Sequence, residues 1–123
     1  MTKTYADDQQ LLSELIGRDL ASVEFVRDYV QLRFDGPQLT AYSWPTLYDA
    51  GHVVTRGTAG YCDALVALIN QVVSAVTLKE GKELIIEWEN DALLHIDLGH
   101  KSVTMPEAVM FSLGDEHKHW MVL

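Results

Sequence analysis

Residues 11–34 read LLSELIGRDLASVEFVRDYVQLRF, and residues 64–88 read ALVALINQVVSAVTLKEGKELIIEW. A shift of 53 positions sets Leu12 on Leu65, Leu15 on Leu68, Ile16 on Ile69, Leu20 on Val73, Val23 on Val76 and Phe25 on Leu78. One inserted residue makes the shift 54, which sets Val30 on Leu84, Leu32 on Ile86 and Phe34 on Trp88. Carried further, the same shift sets Leu39 on Leu93, Tyr42 on Ile96 and Trp44 on Leu98. Gly17 falls on Asn70, and glycine and asparagine are the residues that best tolerate the left-handed position after a helix. In each stretch the early apolar residues recur at helical spacing and the later ones alternate, as half-buried strands require. Each therefore reads as one helix followed by three strands. An internal duplication produces this match; so does any alignment of two amphipathic helices that are each followed by alternating strands. The order of elements is the same on either reading.

Working outward, Asp7 and Asp8 cap the first helix, whose apolar stripe is Leu11, Leu12, Leu15 and Ile16. Strands are predicted over 20–27, 29–35 and 38–44, with Ala21, Val23 and Phe25 sharing one face of the first. Val30, Leu32 and Phe34 share the core face of the second, with Gln31 and Arg33 outward. Thr40, Tyr42 and Trp44 share a face of the third, which follows the turn Asp35-Gly36-Pro37. Residues 45–60, with Gly51, Gly57 and Gly60, read as a long loop. A second helix runs over about 60–70, with Tyr61, Leu65, Leu68 and Ile69 as its stripe, and strands follow at 71–78, 83–89 and 92–98. The tail reads as a hairpin, 108–113 and 118–123, around Gly114-Asp115.

The expected fold is α+β in the order αβββαβββ plus a C-terminal hairpin. Its sheet is mainly antiparallel, with both helices on one apolar face. One domain spans 1–123, with halves at about 7–44 and 60–98 and the hairpin at about 107–123. Ile85 stands where the first half has the outward Gln31. A strand apolar on both faces predicts cover for the second half's sheet, from the tail hairpin or from another subunit.

Composition narrows the function classes. Eighteen acidic against nine basic residues give a net charge of −9, which opposes binding to phosphate backbones and to anionic membranes. The same field accelerates approach of a basic protein. The longest mostly apolar stretch, 64–78, contains Asn70, Gln71, Ser74 and Thr77, and falls short of the ~20 residues a spanning helix needs. MTKTYADDQQ carries no apolar signal region, and the single Cys62 has no internal disulfide partner; a cytoplasmic location is expected.

No Ser–His–Asp signature, phosphate loop, CxxC pair or HExxH is present, so the chain reads as a non-enzyme without a cofactor. His117 and His119 alternate and share a face, and Asp115 stands near them, a weak metal set that lacks converging ligands. His95 and Asp97 share the outward face of their strand. His100 has no assigned company. Cys62 in the first turn of its helix reads as a small buried hydrophobe rather than a nucleophile. Residues 55–60, TRGTAG, precede a helix but lack the phosphate-loop lysine. The loop supplies the binding candidates: Trp44, Tyr48, His52, Arg56 and Tyr61 place aromatic and basic side chains around one connection. Loops of that length are often functional, and interfaces concentrate energy in aromatics and arginine.

With LIGRDLASVEFVRDYVQLRFDG, YCDALVALI and PEAVMF, the chain resembles small uncharacterised bacterial α+β proteins. Some proteins of similar size and acidity are immunity proteins of toxin systems. The likeness covers most of the chain but rests on core positions and turns, so it carries no site residue. The acidity, the missing catalytic motifs and the aromatic loop point to a non-enzymatic protein-binding module, of which an immunity-type inhibitor that occludes a basic partner is one form. The competing readings are a self-associating homodimer using the face near Ile85, and a small metal-binding protein or enzyme using Asp115, His117 and His119.

Overall fold

In the computed structural model, which describes residues 7–99, 107–114 and 120–123, Asp7 caps α1 (Asp8–Leu12) by accepting from the Gln10 backbone N–H at 2.9 Å. A 3-10 turn over Ser13–Leu15 extends the helix. Gly17 then takes φ +88°, the left-handed turn glycine adopts without steric cost. The second helix, α2 (Tyr61–Val66), is followed by Asn70 at φ +76°. The two stop residues matched in the sequence do the same conformational work.

Among the described residues the alternating segments form ten strands: β1 (Ser22–Val26), β2 (Tyr29–Arg33), β3 (Gln38–Ala41), β4 (Thr46–Asp49), β5 (His52–Val54), β6 (Val73–Lys79), β7 (Glu83–Trp88), β8 (Leu93–Asp97), β9 (Val109–Ser112) and β10 (Trp120–Val122). They form two antiparallel sheets, ordered β1-β2-β3-β9-β10 and β5-β4-β8-β7-β6. The α+β class holds, but the single sheet expected from the sequence is two.

Three expectations are corrected. Residues 45–60 are not one loop: Thr46 to Val54 form a hairpin, with Asp49 opposite His52 and Ala50-Gly51 at positive φ between them. Such a two-residue connection matches the twist of its strands. The order among the described residues is therefore αβββββαβββββ, not αβββαβββ plus a C-terminal hairpin. The tail does pair as a hairpin, but β9 joins β3 of the first half, so it extends that sheet instead of covering the second half's. The third-strand match also needs a shift of 55. Phe34 N–H reaches the Pro37 carbonyl where Trp88 N–H reaches that of Ala92, one residue further on. Leu39 and Ala41 are accordingly equivalent to Leu94 and Ile96, and all four are buried. Of Thr40, Tyr42 and Trp44, expected to share a face, Thr40 is buried and the other two, beyond the end of β3, are partly buried.

The halves are related by a twofold. Gly17 N–H donates to Val73 O and Asn70 N–H to Leu20 O, at 2.9 and 2.8 Å. Leu20 N–H donates to Gln71 O and Val73 N–H to Arg18 O, at 3.1 and 2.9 Å. A shift of 53 turns each bond into its mate, and Asp19 bridges its own counterpart, Val72. The strand orders obey the same exchange: each half builds three strands of one sheet and sends its last hairpin to the other. Each helix packs across as well, α1 on β6 and α2 on β1. Phe34 and Trp88, equivalent residues, stack on each other at 6.1 Å and 17°. Around them Leu12, Leu15, Leu65, Leu68, Leu32, Ile86, Leu39, Leu94, Leu47 and Phe111 make one buried core from both sheets. Ile16, placed in the helical stripe by spacing, is 47% exposed, because the helix has ended before it.

Candidate functional site

Three of the five binding candidates come together where β3 crosses to β4. The Arg56 guanidinium lies 4.7 Å from the Trp44 ring centroid, a cation–π contact. The Tyr61 ring meets the other partner of that stack edge-on, 6.5 Å from Trp44 at 73°. Tyr61 is buried, and its hydroxyl donates to the Pro45 carbonyl. Burial, partly offset by Arg56, pushes its phenol well above the ordinary tyrosine value, so the side chain stays a neutral hydrogen-bond donor. Trp44 and Tyr61 thus brace the crossover, with Arg56 over Trp44 at the surface.

Residues 55–60 are ordered by their own polar groups. Thr55 N–H donates to Thr58 Oγ1 at 3.1 Å, and Thr58 N–H returns a bond to Thr55 O at 2.8 Å. Tyr48 and His52 stand apart from the Trp44 cluster, on the β4–β5 hairpin. Tyr48 is 43% exposed and lies directly across from Val53, which is 55% exposed. On the other side Tyr48 faces Leu93, which faces Glu87. The outer row of the second sheet is therefore Glu87, Leu93, Tyr48, Val53, with Ile85 in the next row beside His95.

On that face His95 Nε2 donates to Glu83 Oε1 at 2.9 Å, and Lys79 Nζ lies 3.3 Å from Glu83 Oε2. The His95 hydrogen bond, then the Lys79 contact, holds the Glu83 carboxyl below its ordinary value. Asp97 instead accepts from its neighbour Gly99 N–H. Among the described residues no group of three or more His, Cys, Asp or Glu converges to hold a metal. His100, Asp115, His117 and His119 lie outside the described residues. Cys62, expected to be a buried hydrophobe, is exposed on α2.

The first sheet carries a surface that spacing did not single out. Met110, Trp120 and Val122 are 37%, 58% and 44% exposed, and Met110 lies opposite Val122. A hollow of about 380 Å³ opens between Trp120, Met110, Gln38, Thr40 and Ser112. The available signal was alternation about the buried Met121, weak in a strand of three residues. Among the described residues no helix is long and apolar enough to cross a membrane. No protein-family model, curated protein or solved structure matches the chain.

Proposed function

We propose that the chain is a non-enzymatic protein-binding module, an immunity-type inhibitor whose acidic body occludes a basic partner. The observation that supports it best is the cross-strand pair Tyr48–Val53, held outward on a regular hairpin of an acidic protein. An exposed aromatic beside an aliphatic residue, fixed on strands, loses little entropy on docking. The net charge of −9 supplies long-range attraction to a positive partner. A tagged chain incubated with native lysate is expected to retain a stoichiometric basic protein. Retention weakens between low and moderate salt and is lost in Tyr48→Ala/Val53→Ser. Recovery of no stoichiometric partner at either salt counts against the proposal, and a toxin encoded by a neighbouring gene counts for it.

The runner-up is self-association through the second sheet, supported by Ile85, Leu93, Tyr48 and Val53 on one outer face. Sedimentation showing a strict monomer at high concentration removes that reading.

A further inference from the structure

The two halves differ at one place where the backbone demands an answer. β6 and β1 are equivalent edge strands, and an open edge exposes N–H and C=O groups to any extended chain. At β6 the edge is plugged. Gln9 Nε2 donates to Val76 O at 2.9 Å, and Leu78 N–H donates to Gln9 Oε1 at 2.7 Å. The side-chain amide does what a peptide group of a sixth strand would do. Ser13 fixes it: Gln9 Nε2 reaches Ser13 Oγ at 3.0 Å, and Ser13 Oγ donates to Gln9 O at 2.8 Å.

The shift of 53 carries this arrangement to the other half. Val76 and Leu78 become Val23 and Phe25, and the registers agree: Val23 faces Leu32 as Val76 faces Ile86, and Phe25 faces Val30 as Leu78 faces Leu84. The Val23 carbonyl and Phe25 N–H therefore point away from β2, as their counterparts point away from β7. Gln9 becomes Cys62 and Ser13 becomes Val66. Neither can supply an amide. Among the described residues nothing takes the place of the plug, and the rim is apolar instead, with Phe25 36% and Val66 44% exposed and Cys62 exposed.

We infer that the β1 edge is a docking edge for an extended segment of another protein, which pairs with Val23 and Phe25 as an added strand. The chemistry of the segment follows from β1 itself. Glu24, exposed between Val23 and Phe25, is held among the described residues by one long ion pair, 3.5 Å from the Arg33 guanidinium. A second copy pairing β1 with β1 about this point would set Glu24 against Glu24 in two bodies of charge −9, and like charges directly opposed destabilise a strand pair. The segment that fits alternates apolar residues, packed on Phe25 and Val66, with lysine or arginine near Glu24. This inference takes from the proposed function the basic character of the partner and nothing about its surface.

The test uses the full chain and two peptides, acetyl-TVKVKVT-amide and acetyl-TVEVEVT-amide, followed by backbone NMR and amide exchange. In the free protein Phe25 N–H is expected to exchange at least tenfold faster than Leu78 N–H. The lysine peptide slows Phe25 exchange and binds at least fivefold more tightly than the glutamate peptide. Cys62→Gln/Val66→Ser, which rebuilds the plug, protects Phe25 without peptide and weakens binding at least tenfold. A lysine peptide N-methylated on the amides facing β1 fails to bind the unmodified protein, a result that stands even if the double variant does not fold. Equal protection of Phe25 and Leu78 in the free chain, equal binding of the peptides, or Phe25 protection that rises with protein concentration alone overturns the inference. A native partner retained equally by a folded Cys62→Gln/Val66→Ser variant sinks the β1 edge alone. Lysine-peptide binding with no native partner recovered sinks the inhibitor reading alone.

Discussion

Glu83 shows what a single side chain contributes on an exposed sheet face. Its carboxylate receives the His95 Nε2 hydrogen bond and lies near Lys79, and these hold its folded value below the ordinary glutamate value of 4.5. A depressed carboxyl stabilises the fold at pH values above its unfolded value, and the contribution disappears as pH falls through the lower folded value. Stability measured by denaturant between pH 6 and 3 is therefore expected to fall less steeply in His95→Ala than in the unmodified chain. Identical slopes would show that His95 does not carry the effect. This pair was only half legible: His95 and Asp97 share an outward face by alternation, but the partner of His95 is Glu83, one strand away. Register between strands, which the alternation of β8 does not encode, put them together.

Among the elements, the β3–β4 crossover decides the exchange of hairpins, and α2 holds it. Tyr61 in the first turn of α2 reaches back to Pro45, and its ring packs on Trp44. Tyr61→Phe keeps the packing and leaves the Pro45 carbonyl without its donor, a loss of about 1–2 kcal/mol. A lower denaturation midpoint with an unchanged slope is the expected result; an unchanged midpoint would show that the hydroxyl is dispensable. The hairpin that this crossover delivers is hidden in the sequence for a local reason. Its turn is Ala50-Gly51, with Ala50 at φ +50°, where asparagine, aspartate or glycine is the usual signal. The faces of the third strand are obscured for an equally local reason. The turn after β7 is one residue longer than the turn after β2, and a slip of one residue reverses the faces of a strand.

At the scale of the molecule, the exchange means that neither half closes its own sheet. β4 pairs with β8 and β9 with β3, and Phe34 and Trp88 meet at the twofold. Unfolding is expected as one cooperative transition, with amides of Leu32 in one sheet and Ile86 in the other exchanging at the same global free energy. Leu47→Ala, at a buried position of the exchanged hairpin, is expected to cost about 2–5 kcal/mol and to lower both amides together. Two separable transitions, or loss of protection confined to one sheet, would show that the halves fold independently. A domain built this way has its invariant part in the core, where equivalent positions stay apolar, and its individuality on the outer faces and edges. There Ile85 replaces Gln31, and Cys62 and Val66 replace Gln9 and Ser13.

The sequence by itself determined the core face of β2 and β7, most of the apolar stripe of each helix, and the left-handed turns at Gly17 and Asn70. Those properties follow from period, from the tolerance of Gly17 and Asn70 for a left-handed backbone, and from the cost of leaving apolar side chains in water. Only the tertiary structure decided that there are two sheets, that each half lends its hairpin to the other, and that one edge is plugged while its twin is open. Strands pair through backbone N–H and C=O groups that every residue carries alike. Alternation thus assigns a strand its buried face but leaves its neighbour to chain geometry.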